Sequence, residues 1–150
     1  MHGKQRTLHK RKKMIMAECE EKIIKAEACV QKYGDKEALV LFCLMKETGI
    51  RLGDLVNLRT DHLRGRELLV VESKYGAAKL YYHYPDGSFP IISKETAKML
   101  VPGEDGKFFH HGREHYIRLF RKVIPDKEFR YYYIRRYVMD KRRIDQEVCR

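Results

Sequence analysis

No stretch of this sequence approaches the ~18 consecutive apolar residues that a membrane-spanning helix needs, so no membrane partner is expected. The basic opening MHGKQRTLHKRKK is followed by neither an apolar core nor a small-residue cleavage site, so it does not read as a secretory leader. Cysteine is sparse: Cys19, Cys29, Cys43 and Cys149, with no CxxC pair among them. Three of the four fall on apolar helix positions, which predicts reduced core thiols rather than a disulfide framework. Also missing are a P-loop, a GxGxxG turn, a Ser-His-Asp set, internal repeats and low-complexity tracts beyond the basic opening. His110, His111 and His115 include an i,i+4 pair, but no nearby cysteine or acid completes a metal site, and no metal is expected. These absences predict a cytoplasmic domain that works without metal or cofactor.

What is abundant is positive charge. Lysine and arginine number 32 against 21 acids, giving a net charge of +11 and a pI near 9.5. Such an excess suits a polyanionic partner, nucleic acid ahead of an anionic membrane surface. With 43% apolar residues over 150 positions, the chain has enough material for one core. Residues 1–13 carry Lys4, Arg6, Lys10, Arg11, Lys12 and Lys13 without an acid, and read as a basic tail or an arm along phosphates. Residues 14–150 read as a single domain.

Within that domain the hydrophobic period changes twice. Met16, Cys19, Ile23, Ala26 and Val30 recur at three- and four-residue steps, predicting a helix over 14–33. Gly34 ends it, and Asp35 can cap a second helix over 36–47. Thr48-Gly49 breaks that helix, and a short one is predicted over 52–58. Two β-prone runs follow, Glu67–Glu72 and Leu80–Tyr84, joined by a turn at Lys74–Ala77, with a third strand at Phe89–Ile92. The last third is helical again: 94–100, 113–123, then a helix opened by Pro125-Asp126 and running to 143, and a final one over 144–149. The predicted fold is α+β, mainly helical with one small three-stranded antiparallel sheet.

The sharpest local signal is Glu47-Thr48-Gly49-Ile50-Arg51-Leu52-Gly53-Asp54-Leu55-Val56-Asn57-Leu58. A glycine ends one helix, an arginine stands at the start of the next, and Asp54 follows one turn later where it can hold the guanidinium. An arginine fixed beside a helix start suits phosphate, because its planar fork matches two phosphate oxygens. On spacing alone, Arg51 and Asp54 would be an ordinary surface pair of little energetic worth.

The wording of the segment says more. TGIRLGDLVNL resembles the first arginine motif of the tyrosine recombinases, the phage-integrase family, whose usual form is TG-apolar-R-x-x-E-L-x-x-L. In that family a small sheet follows with a catalytic lysine on its β-turn, which makes Lys74 the candidate here and Lys79 the reserve. A compact ammonium on a turn suits proton donation to a leaving 5′-oxygen. The family's second motif, HxxR, is matched by Lys127-Glu128-Phe129-Arg130, with lysine in place of histidine as in some archaeal-virus integrases. That lysine is a poor general base unless its pKa is lowered, so Lys127 reads as a phosphate contact.

The resemblance spans about residues 14–150 and implies strand exchange on double-stranded DNA without metal or nucleotide cofactor. A tyrosine would attack the scissile phosphate, forming a 3′-phosphotyrosyl link and freeing a 5′-hydroxyl, while Arg51 and Arg130 stabilise charge on the non-bridging oxygens. Further basic residues, Arg113, Arg118, Arg121, Lys122 and Arg135, interleave with Tyr116 and Tyr131–Tyr133 and read as a nucleic-acid groove. The sequence also departs from the family. The nucleophilic tyrosine is expected on a helix beyond Arg150, and Tyr131, Tyr132, Tyr133 and Tyr137 stand too close to Arg130 to serve. The chain is therefore expected to bind DNA but not to cleave it alone, and to be a monomer in isolation that joins larger assemblies on DNA. Two rival readings are a non-catalytic DNA-binding relative acting as a regulator, and an unrelated basic nucleic-acid-binding helical domain.

Overall fold

A computed structural model of the chain describes residues 2–71 and 81–148, with side chains described over 16–71, 81–131 and 133–145. Helix α1 spans His2–Tyr33. Its inward stripe is Ile23, Ala26 and Val30, each at most 3% exposed, as the sequence period predicts. The basic block at 2–13 differs from the expected tail, because its backbone is helical and continuous with the rest of α1. Neither glycine nor proline interrupts Lys4–Tyr33, and lysine, arginine, glutamine, leucine and methionine all favour helix.

Gly34, in the left-handed region at φ +91°, ends α1, and the Asp35 side chain accepts a hydrogen bond from the Ala38 amide (3.0 Å) to start α2 (Lys36–Thr48). Helix α2 is the hub. Ala38, Val40 through Met45, and Thr48 are all buried, so apolar side chains leave on every side of the cylinder. A helix apolar all round has to be enclosed, and α2 is packed against α1, α3, α4, α5 and α6. Phe42 meets Phe120 edge to face at 5.9 Å between centroids.

Helix α3 covers only Leu52–Leu55, not the expected 52–58. Past Leu55 the chain tightens: Leu58 donates to the Leu55 carbonyl (3.0 Å), and a 3₁₀ turn occupies Thr60–His62. The hairpin that comes next was not expected from the sequence. Strands β1 (Leu63–Arg64) and β2 (Glu67–Leu68) pair antiparallel, Leu63 opposite Leu68 and Arg64 opposite Glu67. The two-residue turn between them has Gly65 at φ +63°, which glycine adopts without strain.

The sheet among the described residues is therefore two-stranded rather than three-stranded. The expected third segment touches β2 through a single bridge, Glu67 opposite Ile91, with Leu68 donating to the Pro90 carbonyl (2.9 Å) and Ile92 to the Arg66 carbonyl (2.9 Å). Pro90 has no amide hydrogen, so the ladder cannot run through it. One bridge, Val71 opposite Tyr81, joins the other two expected strands, and the turn between them lies outside the described residues.

Ser93 caps α4 (Lys94–Met99) by accepting from the Thr96 amide (3.1 Å), and α5 covers Arg113–Val123 as expected. Helix α6 runs unbroken over Tyr132–Val148, which corrects two expectations: it starts after, not at, Pro125-Asp126, and no separate helix begins at 144. The Asp126 side chain accepts from the Glu128 amide (3.0 Å), folding 126–129 into a side-chain-closed turn that competes with helix. The fold is thus α+β, mainly helical with one small antiparallel sheet, and none of its helices is long and apolar enough to cross a membrane among the described residues.

Candidate functional site

The segment that carries the arginine motif is tied down on both sides. Thr48 is fully buried; its Oγ1 donates to the Leu44 carbonyl (2.6 Å) and accepts from the Ile50 amide (3.2 Å). The Tyr84 hydroxyl donates to the Thr48 carbonyl (3.0 Å), so an extended segment from the middle of the chain clamps the end of α2. Glu47 accepts from the Ser93 amide (2.6 Å) and from the Thr96 hydroxyl, docking the start of α4 on the same place. Gly49 lies at φ +72°, and its amide donates to the Met45 carbonyl (2.9 Å), closing α2. A Cβ added there would come within 3.0 Å of Met139 Cε and 3.1 Å of Val138 Cγ1, so the missing side chain is what lets α6 approach.

Immediately beyond that junction, Arg51 is the N-terminal flanking residue of α3, with its carbonyl accepting from the Asp54 and Leu55 amides (3.0 Å each). Arg51 lines a cleft of about 330 Å³ together with Met45, Ile50, Leu52, Gly53, Asp54, Arg113, Tyr131 and Arg135. Four elements contribute: the end of α2, the first three residues of α3, the first residue of α5, and the first turn of α6 with Tyr131 just ahead of it. The loop before α5 is aligned by antiparallel contacts to the segment after α3, Thr60 donating to the Gly106 carbonyl (3.0 Å) and Phe108 to the Leu58 carbonyl (3.3 Å). That pairing brings Arg113 over Gly53, whose own Cβ position would lie 3.5 Å from Arg113 Cδ.

Two of the three arginines have an aromatic partner. The Arg113 guanidinium donates to the Tyr131 hydroxyl (2.7 Å), a bond that holds the Arg113 pKa above its ordinary value. Arg135 lies with Cζ 5.8 Å from the ring centroid of Tyr82, a cation–π contact of its guanidinium. Asp54, 7% exposed, lies in the lining, so the cleft carries more positive than negative side chains. Among the described residues, none of Arg51, Arg113 and Arg135 forms a salt bridge. Guanidinium groups converging from separate elements, with few carboxylates to neutralise them, form an anion-binding arrangement.

The remaining expected residues distribute as follows. Lys74 and Lys79 lie outside the described residues. Lys127 and Arg130 are exposed, in the turn before α6 rather than on a helix, and neither lines the cleft; Arg130 is the chain neighbour of Tyr131, which does. Arg118, Arg121 and Lys122 are exposed on α5 and also outside the cleft lining, with Lys122 Nζ 5.6 Å from the Tyr33 ring centroid on α1. The sequence treated Arg113 and Arg135 as members of a general basic surface, and nothing local distinguishes them from Arg118 or Arg121.

A second polar cluster joins α2 to the loop before α5. Glu37 pairs with His110 Nδ1 and accepts from the Tyr116 hydroxyl (3.0 Å). The hydrogen bond and charge of Glu37 raise the His110 pKa, while burial first, and then Glu37, raise that of Tyr116. His111 and His115 stack at 3.8 Å between centroids, and no group of three metal-ligating side chains occurs among the described residues. The buried Cys43 thiol is pushed up to about 12, chiefly by burial and then by Glu27, so it stays protonated. Cys19, Cys29 and Cys43 are free thiols.

No family model, curated protein or solved structure matches the chain. The geometry of the cleft and the wording of its motif therefore carry the functional reading.

Proposed function

We propose that the chain is the DNA-handling part of a tyrosine-recombinase-type catalytic domain, binding duplex DNA with backbone phosphates drawn to the Arg51 cleft. One observation carries this reading: Arg51, on which the motif resemblance turns, shares a cleft with Arg113 and Arg135. A net charge of +11 supplies the long-range attraction, and the convergent guanidiniums supply the local one. In this reading Arg51 binds the non-bridging oxygens of the phosphate to be cleaved, helped by Arg113. Arg130, beside Tyr131, acts as the family's second arginine, Lys127 contacts a neighbouring phosphate, and Lys74 delivers the proton to the leaving 5′-oxygen. The attacking hydroxyl belongs to a tyrosine outside this chain; its oxygen gives up its own proton to water and bonds to phosphorus as the 5′-oxygen departs with the proton from Lys74. The segment at 89–92 corresponds to the third strand of the family's sheet, and the site of action is the cytoplasm.

Fluorescence anisotropy with a labelled duplex across a salt series tests the proposal. The logarithm of affinity is expected to fall linearly with the logarithm of salt, and Arg51→Ala, Arg113→Ala or Arg135→Ala should each flatten the slope by about one unit. Binding indifferent to salt, or a triple variant that binds as wild type does, removes the nucleic-acid reading.

A further inference from the structure

A single phosphate leaves most of the Arg51 cleft unfilled. Water occupies about 30 Å³ per molecule in the liquid, and a phosphate of two to three times that bulk fills roughly a quarter of such a space. The cleft measures about 330 Å³. Its volume falls at the small-ligand end of the usual range, roughly 300–1,000 Å³, which a nucleotide of about 22 non-hydrogen atoms suits.

The chemistry of the walls is divided in the same way. Ile50, Leu52 and Met45 supply apolar surface around the end of α2, and the half-buried Tyr131 adds an aromatic ring. Arg51, Arg113 and Arg135 supply the cationic part. Apolar and aromatic surface beside guanidinium groups is the composition that receives an unstacked base with its phosphate, since every base has a π-face and every nucleotide an anion. The aromatic and two of the cations are also pre-set: Arg113 is bonded to the Tyr131 hydroxyl (2.7 Å), and Arg135 is laid on Tyr82. Side chains already held in place lose little freedom when a ligand arrives.

We infer that the cleft receives one unpaired nucleotide of a DNA strand, the base against Tyr131 and the apolar wall and the 5′-phosphate on Arg51, Arg113 and Arg135. The inference rests on the nucleic-acid reading above and deepens it. It names a nucleotide out of the duplex stack as the ligand, not the phosphate of an intact duplex. An extruded base costs unstacking energy, so sites already bulged, frayed or nicked are the preferred ones.

The test uses two duplexes of equal length, one flush and one with a single bulged 2-aminopurine, together with deoxyadenosine monophosphate, deoxyribose 5-phosphate and inorganic phosphate as competitors. The bulged duplex is expected to bind about tenfold tighter than the flush one, with a change in 2-aminopurine emission. Deoxyadenosine monophosphate should compete at least tenfold better than either base-free competitor. Arg113→Ala should reduce that competition about tenfold, while Tyr131→Phe, which keeps the ring and removes the hydrogen bond, should weaken it less than Tyr131→Ala does. Equal binding of bulged and flush duplexes overturns the inference. So does equal competition by the mononucleotide and inorganic phosphate. Tight mononucleotide binding without preference for the bulge also overturns it, in favour of a free nucleotide as ligand. Loss of all salt-dependent duplex binding is a different result, and it removes the underlying reading instead.

Discussion

Replacing Gly49 by alanine is expected to destabilise the fold by about 2–5 kcal/mol, from two additive terms. The first is conformational: an L-residue forced into the left-handed region costs roughly 1–2 kcal/mol, and Gly49 lies at φ +72°. The second is steric. The new methyl would lie 3.0 Å from Met139 Cε and 3.1 Å from Val138 Cγ1, well inside the ~3.5–4.0 Å optimum for carbon pairs. Met139 can swing its terminal methyl aside, but valine is stiff at χ1, so α6 itself must shift, at a cost of roughly 1–3 kcal/mol. Gly34 provides the control, because it has φ +91° with nothing within 4 Å of its added Cβ and bears only the first term. At about 2–4 °C per kcal/mol for a domain of this size, Gly49→Ala should melt well below Gly34→Ala in matched thermal scans. Val138→Ala in the Gly49→Ala background should recover part of the difference. Equal losses of stability in the two glycine variants would refute the steric term. A functional readout accompanies the thermal one: Arg135 is one turn before Met139 on α6, so the shift that relieves Gly49→Ala should also weaken anion binding at the cleft.

Three further outcomes follow from the geometry. Thr48→Val, nearly isosteric, should lose about 1–3 kcal/mol in urea melts because the buried Ile50 amide is left without its acceptor, while Thr48→Ser should stay near wild type; a silent Thr48→Val would contradict the assigned bonds. The raised His110 pKa means that the Glu37 pairing stabilises fully below the unfolded value of about 6.5 and is lost as pH rises through the higher folded value, so His110→Gln should remove that decline, and an unchanged pH profile would refute the pairing. With its thiol pushed up to about 12 and its side chain buried, Cys43 should react with thiol reagents at pH 8 far more slowly than Cys19 or Cys29 until denaturant is added; equal rates would count against the packing around Glu27.

How much could be read in advance depended on how local the cause was. Helix α2 and helix α5 were placed to within a residue because their limits are set by neighbours in sequence: Asp35 as cap, Gly49 in the left-handed region, Gly112 ahead of α5. The start of α6 was misread because Pro-Asp has two uses. It opens helices, but here the Asp126 carboxylate closes a turn onto Glu128 and pairs with Lys22 on α1 (3.6 Å), and that second partner is remote in sequence. The third segment is limited to a single bridge beside Pro90, where a β-prone run contains a residue unable to donate. At the site, the motif made Arg51 legible. Arg113 and Arg135 were legible only as basic residues, since their convergence depends on the pairing of the loop before α5 with the segment after α3 and on the close approach of α6 to Gly49.

That approach has a mechanical side. Arg135 lies on Tyr82, and Arg142, seven residues further along α6, stands over Tyr84 with Cζ 3.3 Å from the ring centroid. Two arginines seven residues apart on a helix are separated by about 10.5 Å along its axis. The nearer, Arg142, contact is also the tighter, and Tyr84 is anchored in turn on Thr48. Tyr82 and Tyr84, two residues apart on one extended segment, therefore seat α6 at two places along its length, so an anion entering the cleft meets an Arg135 whose helix is already aligned with the end of α2.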